Sequence, residues 1–309
     1  MVVKKIKKVI NEVAFPAPQE PIEFYQETLL NRNDLIWLDV GKNQRVPAIY
    51  IKGGRSLKSK FTVLYSHGNG EDLGVDSRFL DEMQKRIGAD LFAYDYVGYS
   101  LNRFEPGDKN VPSVSGCKKS IMAAWKYLTT TANVPPKDII IYGRSIGSGP
   151  SVYLAGKVGT KKNPEERCAG VILQAPLESA FRAVLGPKTA TCCVCFDFFR
   201  NHSIVHKLRC KVGIMHGTED EVVPISNGEA LHKKLKHPHE PHWVEGHGHN
   251  DIPAEYIFEY AKNFVNMLRE ERRGPDTNLS KEEMRKKRLA AMQNYKQQQS
   301  EENVIVDIE

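Results

Sequence analysis

Long apolar runs are missing from this sequence. None of its hydrophobic stretches approaches the roughly 18 consecutive residues at which a membrane-spanning helix becomes a candidate. The amino terminus is basic but lacks the apolar core and small-residue cleavage site of a secretion signal. These two absences predict a protein that is made and kept in the cytoplasm.

Cysteine is also scarce, and none stands before Cys117. The chain has six cysteines in all, and without a secretion signal they are expected to be reduced thiols. Cys192, Cys193 and Cys195 lie close together but have no second ligand pair at the spacing of a zinc site. The sequence therefore predicts neither disulfides nor a metal, and it indicates no other cofactor.

A strong excess of one charge is likewise absent. The net charge is +6 over 309 residues, of which 27% are charged and 40% hydrophobic. Such a composition is ordinary for a globular protein, and no nucleic-acid-binding motif accompanies the basic residues. We expect one large α/β core with terminal segments outside it, and no nucleic-acid partner.

A G-x-S-x-G pentapeptide follows a predicted strand near the middle of the chain. Residues 139–142 form an apolar run that is typical of a buried strand in a parallel sheet. Gly-Arg-Ser-Ile-Gly follows at 143–147, and small residues suited to the start of a helix come next. This order predicts a nucleophile elbow that presents Ser145 at the carboxyl edge of a sheet. A glycine-rich structural turn is the alternative.

Short apolar runs alternate with segments of helical periodicity along most of the chain. Predicted strands lie at 34–40, 46–51, 61–65, 91–96, 139–142, 170–174 and 211–215, with a last short strand starting at Trp243. Predicted helices lie at 77–88, 114–131 and 256–269. The alternation predicts an α/β fold with a mostly parallel, doubly wound sheet, and its first two strands form an edge hairpin.

Ser145 needs a base and a carboxylate to orient that base, because a serine hydroxyl is a poor nucleophile. Asp220 follows the penultimate predicted strand and His249 follows the last one. The chain order Ser, Asp, His is that of α/β hydrolases. Loop position alone leaves other candidates open, namely Glu219 and Glu221 for the acid, and His242 and His247 for the base.

An acyl-transfer site also needs two amide donors for the oxyanion. One is expected from the backbone N–H of Ile146, directly after the nucleophile. The other is expected from the backbone of Asn69, in the glycine-rich loop after the third predicted strand. The side chain of Asn69 has no role in this arrangement.

Residues 177–210 fit no strand–helix unit and form a predicted insertion over the carboxyl edge. One interpretation is a small apolar cap that receives an acyl chain. Its pocket would be lined by Phe181, Leu185, Phe196 and Phe199. The alternative is a helix whose aromatic side chains simply pack on the core.

The two ends differ from the predicted domain at 23–273. Residues 1–13 interleave valines and isoleucines with four lysines, which is typical of a basic amphipathic helix that lies on a membrane or packs on the domain. Three prolines at 14–22 predict an extended linker. Residues 274–309 are polar and charged, so they predict a partly helical or disordered tail that offers a protein partner a helix.

Seven segments resemble the α/β-hydrolase domain-containing protein 17 family. They are SHGNG (66–70), YDYVGYS (94–100), YGRSIGSGPS (142–151), VILQAPLESAFRAV (171–184), CFDFFRN (195–201), HGTEDEVVPISNGEAL (216–231) and HWVEGHGHNDI (242–252). That family consists of serine hydrolases that remove palmitate from membrane-bound proteins and that carry an N-terminal cysteine cluster. The resemblance implies an α/β-hydrolase fold over about residues 14–270, with Ser145, Asp220 and His249 as the triad.

We therefore expect a serine hydrolase that removes palmitate from S-acylated cysteines through an acyl-enzyme, working peripherally on the cytosolic face of membranes. A carboxyl-ester lipase of the monoacylglycerol or lysophospholipid type would use the same triad on a lipid ester. A scaffold without catalysis, acting through the C-terminal tail, is the alternative from a different class.

Overall fold

A computed structural model describes residues 15–53, 61–106, 110–183 and 197–273. Several predicted features lie outside these ranges and stay predictions. They are the helix at 1–13, the side chains of Leu185 and Phe196, the cluster of Cys192, Cys193 and Cys195, and the tail at 274–309.

Eight strands form one sheet in the described part of the chain. They are β1 (Leu35–Gly41), β2 (Gln44–Ile51), β3 (Thr62–Ser66), β4 (Asp90–Tyr94), β5 (Ile139–Arg144), β6 (Gly170–Gln174), β7 (Lys211–Gly217) and β8 (His242–Val244). Their spatial order is β1-β2-β4-β3-β5-β6-β7-β8. The strand β2 runs antiparallel to β1 and β4, and all other neighbours are parallel. The predicted fold class, with its hairpin at one edge, is confirmed.

The centre of the sheet is buried on both faces. Leu64 on β3 pairs with Ile141 on β5, which pairs with Val171 on β6, and all three side chains are inaccessible to solvent. Burial on both faces explains why these strands are continuous apolar runs in the sequence rather than alternating ones. Because parallel strands end at the same edge, the loops after β3, β5, β6, β7 and β8 meet there.

Helices flank this sheet. They are α1 (Ile22–Tyr25), α2 (Ser77–Ile87), α3 (Val114–Lys126), α4 (Ser148–Val158), α5 (Ser226–His232) and α6 (Ala254–Arg273). The ring centroid of Phe79 on α2 lies 6.4 Å from that of Tyr65 on β3 and 5.2 Å from that of Phe258 on α6. The helices α2 and α6 therefore pack on the same face of the sheet. The helices α1 and α5 were not predicted, because four and seven residues are too few to show a period.

The predicted helix at 114–131 is shorter than expected. It ends as an α-helix at Lys126 and continues as a π-helical turn, Tyr127–Thr131. The hydroxyl of Thr129 donates to the carbonyl of Trp125, and that of Thr130 donates to the carbonyl of Lys126, at 2.9 and 2.7 Å. Such back-bonding competes with regular helix geometry, and apolar periodicity does not reveal it.

The predicted linker is fixed to the domain where the structure describes it. Residues 15–21 contain neither helix nor strand, yet Phe15 is only 3% exposed. Its ring lies 6.1 Å from that of Phe198 and 6.5 Å from that of Phe199. The N-terminal linker therefore packs directly on the insertion.

The chain divides into two compact units, residues 1–265 and 266–309. The structure describes the second unit only over residues 266–273, the end of α6. The predicted domain limits at residues 22 and 273 stay predictions. Within the described ranges, no helix has both the length and the hydropathy that crossing a bilayer demands.

Candidate active site

Ser145 stands at a sharp turn between β5 and α4. Its φ is +52°, a left-handed conformation that residues other than glycine rarely adopt. A Cβ at Gly143 would lie 2.6 Å from the carbonyl oxygen of Gly147, and a Cβ at Gly147 would lie 2.3 Å from that of Ser66. Both glycine positions exclude a side chain, so the turn has the geometry of a nucleophile elbow.

A continuous chain of hydrogen bonds joins Ser145 to a histidine and an aspartate. The Nε2 atom of His249 lies 2.9 Å from Oγ of Ser145. Its Nδ1 atom lies 2.7 Å from Oδ2 of Asp220. Because an ionised carboxylate only accepts, Nδ1 carries the proton and Nε2 is free to accept the serine proton. The three residues come from the loops after β5, β7 and β8.

Burial and hydrogen bonding distinguish Asp220 and His249 from the other acid and base candidates that the sequence left open. Asp220 is buried, whereas Glu219 and Glu221 are exposed. The Nδ1 atom of His247 lies 2.7 Å from the carbonyl oxygen of Glu245. His242 lies on β8, where burial lowers its pKa to about 4.

The environment of Asp220 keeps its carboxylate ionised. Burial alone would raise the pKa of Asp220, but hydrogen bonds from His216 and His249 and from the amide of Val223 together hold it well below its usual range. Its Oδ1 atom accepts from the backbone N–H groups of Val222 at 3.0 Å and Val223 at 2.7 Å. This charge orients His249 and would stabilise its imidazolium form.

The loop that carries Asn69 lies against the elbow. The close approach of Gly147 to the backbone of Ser66 and His67 brings the end of β3 next to Ser145, and Ile146 is the next residue of the same turn. The hydroxyl of Tyr99 donates to the backbone oxygen of Asn69 at 3.2 Å and to its Oδ1 at 3.1 Å. The Asn69 side chain, for which we expected no role, therefore helps to fix this loop.

Comparison with curated relatives shows to which family this chain belongs. Human α/β-hydrolase domain-containing protein 17B is 39% identical over 226 residues, which cover 72% of each chain. Mouse α/β-hydrolase domain-containing protein 17C is 36% identical over 243 residues, covering 78% of this chain and 70% of its own. The chain belongs to the α/β-hydrolase domain-containing protein 17 family. The resemblance seen in the sequence is confirmed, although no protein-family model matches the chain.

Solved structures of other proteins share the fold of this chain. Est1E from Butyrivibrio proteoclasticus superposes with a TM-score of 0.59 at 17% identity, covering 76% of this chain and 99% of its own. Mouse α/β-hydrolase domain-containing protein 10 superposes with a TM-score of 0.53 at 16% identity over the same shares. The fold is that of an α/β hydrolase, and family and fold together support a hydrolase.

The insertion of this family member places two of its four predicted pocket residues in an aromatic group. Phe199 is 5% exposed, and its ring lies on Gly149 at the start of α4. The ring of Phe198 lies 5.4 Å from that of Phe199 and 6.3 Å from that of Phe181. Packing on the core accounts for Phe199, and the acyl-pocket role stays a prediction.

Sequence reasoning missed His216, which contacts the predicted acid from the other side. It is fully buried on β7, with Nε2 2.7 Å from the carbonyl of Val223 and 3.1 Å from Oδ2 of Asp220. Both partners are acceptors, so Nε2 carries the proton. The available signal was its place at the end of a buried strand, four positions before Asp220.

Proposed function

We propose that this hydrolase is a serine hydrolase that cleaves acyl thioesters, removing palmitate from S-acylated cysteines of membrane-associated proteins. The observation that carries the proposal is the uninterrupted hydrogen-bond chain from Ser145 through His249 to Asp220. The thioester substrate rests on the family resemblance, because a triad of this kind serves oxygen esters equally well.

The proposed reaction proceeds through an acyl-enzyme. His249 takes the proton from Oγ of Ser145 as the oxygen attacks the acyl carbonyl carbon. The backbone N–H groups of Ile146 and Asn69 receive the developing oxyanion. When the intermediate collapses, the carbon–sulfur bond breaks and the protonated His249 returns its proton to the departing cysteine sulfur. Water, activated by His249, then hydrolyses the acyl–serine ester and restores Ser145.

The leaving group offers a reason for a thioester preference. A cysteine thiol has a pKa near about 8.5, so its sulfur can depart with less help from a proton donor than an alkoxide needs. A long acyl chain would add apolar binding energy of about 0.8 kcal/mol for each buried methylene. Both effects favour long-chain thioesters over short-chain oxygen esters.

Membrane-bound substrates require the enzyme to reach a membrane surface. The basic amphipathic segment at 1–13 is our proposed contact, working peripherally from the cytosolic side, and its lysines would add attraction to anionic lipid. Phe15 continues this segment into the aromatic group of the insertion. The tail at 274–309 is the proposed binding segment for a protein partner.

Labelling with a fluorophosphonate and turnover of matched esters test the proposal. Ser145→Ala should lose labelling and lower kcat by roughly 10⁴-fold or more. The matched control is Ser148→Ala, since the buried Ser148 hydroxyl accepts hydrogen bonds from the amide of Leu177 at 3.2 Å and from Asn201 at 3.3 Å and lies outside the hydrogen-bond chain from Ser145 to Asp220. The wild-type chain should prefer the thioester of each acyl pair, most at long chain length. Persistent labelling of Ser145→Ala would refute the nucleophile, and a preference for oxygen esters would identify a lipase.

A further inference from the structure

Arg144, the residue directly before the nucleophile, contacts both loops that flank Ser145. Its guanidinium forms an ion pair with Glu71 in the loop after β3. Its Nη2 atom donates to Oδ1 of Asn250, in the loop after β8, at 3.0 Å. Strands β3 and β8 are not neighbours in the sheet, because β5, β6 and β7 lie between them. Arg144 thus joins two loops that the sheet itself does not connect.

The contact with Glu71 acts on the backbone next to the proposed oxyanion donor. Oε2 of Glu71 accepts from the backbone N–H of Gly68 at 2.6 Å. Gly68 and Asn69 are consecutive residues, so the orientation of one peptide constrains the other. Through Glu71, the charge on Arg144 therefore helps to set the direction of the Asn69 amide.

The contact with Asn250 acts on the base. Asn250 follows His249 directly, and the pair lines a cavity of about 230 Å³ together with Arg144 and Glu71. The side chains of Arg144 and Glu71 are 15% and 20% exposed, so water screens their ion pair only in part. The two arms of one guanidinium reach the proposed oxyanion loop and the proposed base loop at once.

We propose that Arg144 is a positioning residue whose guanidinium holds the Asn69 loop and the His249 loop in their relative places around Ser145. This inference rests on the proposed function, since it assumes that both loops act on one tetrahedral intermediate. Misplacement of a catalytic group by about 1 Å can cost about 10²-fold in rate. Both side chains of the ion pair keep some contact with water, so its loss should cost less stability than the loss of a fully buried pair. Rate and stability should therefore separate in variants of Arg144.

Steady-state kinetics on one soluble thioester test this separation. Arg144→Gln should lower kcat by about 10- to 100-fold, with KM changed by less than about 3-fold, because the lost effect belongs to the transition state. The melting temperature should fall by no more than about 4 °C. Arg144→Lys keeps the charge for Glu71 but has one donor group instead of a fork, so it should recover part of the lost kcat.

A double-variant cycle shows whether Glu71 and Arg144 act as one unit. Glu71→Gln should lower kcat to a similar degree, and Arg144→Gln/Glu71→Gln should be no more than about 3-fold slower than the slower single variant. The matched control is Arg32→Gln. Arg32 forms ion pairs with Asp34 and Asp81, each with an N–O distance of 2.8 Å. Asp34 directly precedes β1, the outer strand at the end of the sheet opposite β8. That variant should keep kcat, and its melting temperature should fall by an amount comparable to that of Arg144→Gln, because its ion pairs are exposed to a similar or greater degree.

Three outcomes would overturn the inference while the wild-type enzyme is active. They are full kcat in Arg144→Gln, a loss confined to KM, and additive losses in the double variant. A wild-type chain that hydrolyses neither thioester nor oxygen ester would overturn the proposed function and this inference with it. The two failures are therefore distinguishable from the wild-type measurement alone.

Discussion

Two of the buried histidine–aspartate pairs at the carboxyl edge of this sheet, His249–Asp220 and His67–Asp95, differ in whether the imidazole donates a hydrogen bond to the carboxyl group. In the first pair, Nδ1 of His249 is 2.7 Å from Asp220. In the second, Nε2 of His67 lies 3.4 Å from Oδ1 of Asp95 and, within the described part of the chain, makes no hydrogen bond. The same two residue types therefore occur in a tight pair and in a loose one.

The surroundings of the two carboxyl groups explain the difference. Asp220 is buried but receives hydrogen bonds from two histidines and from backbone amides, which keep its pKa low. Burial raises the pKa of Asp95 well above its usual range, and the negative charge of nearby Asp72 raises it further. The Nδ1–H group of His67 donates to the carbonyl oxygen of Gly68 at 2.7 Å. The other ring nitrogen, Nε2, therefore carries no proton and faces Asp95 with its lone pair. Asp95 also accepts from the backbone N–H of Leu73 and from the hydroxyl of Ser100. The two pairs are therefore distinguished by the imidazole N–H groups that donate to Asp220 and, among the described residues, not to Asp95.

The largest effect should separate the two aspartates. Asp220→Asn should lower kcat by roughly 10⁴-fold, because an amide neither holds the required tautomer of His249 nor stabilises its charged form. Asp95→Asn should keep kcat within about 3-fold, since a carboxyl group with a raised pKa already resembles an amide in charge. Thioester turnover of the two purified variants measures both. Comparable losses in the two variants would contradict the distinction drawn between the pairs.

A smaller effect should appear in the pH dependence of stability. Burial lowers the pKa of His67 to about 4, whereas an unfolded histidine titrates near about 6.5. Between these values the unfolded chain binds the extra proton, so His67 contributes stability above about pH 6.5 that is lost as the pH falls toward 4. The full shift corresponds to roughly 3 kcal/mol.

His67→Gln should remove this pH-dependent contribution. The free energy of unfolding of the variant, measured in urea, should approach that of the wild type as the pH is lowered from 7 to 4.5. Comparing the two proteins at each pH cancels the carboxyl groups that titrate in the same range. A stability difference that stays constant with pH would show that His67 is not held neutral by burial.

The smallest effect belongs to His247, whose described hydrogen-bond partner is a backbone carbonyl rather than a carboxylate. His247 lies two positions before His249, and its described hydrogen bond is with the backbone of Glu245. His247→Ala should change kcat by less than about 3-fold and leave fluorophosphonate labelling intact, because the proton path does not include it. His249→Ala serves as the comparison and should be nearly inactive. The reverse pattern would move the base to His247.

The sharp turn that carries Ser145 was predictable from the sequence because its determinants are contiguous. A buried strand, two glycines and a serine stand within residues 139–147, and the strained turn they form is set by local sterics. The sheet was predictable for a similar reason, since its central strands are continuous apolar runs. Strand ends moved by a few residues, as for β7, which extends to Gly217 rather than to residue 215.

The residues hydrogen-bonded in the chain from Ser145 were harder to predict because they depend on burial. Asp220 differs from Glu219 and Glu221 mainly in its exposure, a property of the folded loop that composition does not reveal. Arg144 and Glu71 are 73 positions apart, and charged residues in loops are usually solvated. The prolines around Phe15 predict an extended linker. Its burial depends on contacts with Phe198 and Phe199, which are distant in the sequence, so the local sequence does not indicate it.

The wide spacing of the triad along the chain also has a consequence for synthesis. Ser145 and His249 are 104 positions apart, and a ribosome adds about 5–20 residues per second. Ser145 would therefore be synthesised about 5–20 s before His249. During that interval the Ser145 hydroxyl lacks the histidine of its hydrogen-bond chain, so the proposed triad cannot yet operate. The proposed triad is complete only after β8 and the loop that follows it have been made, when most of the described fold has already been synthesised.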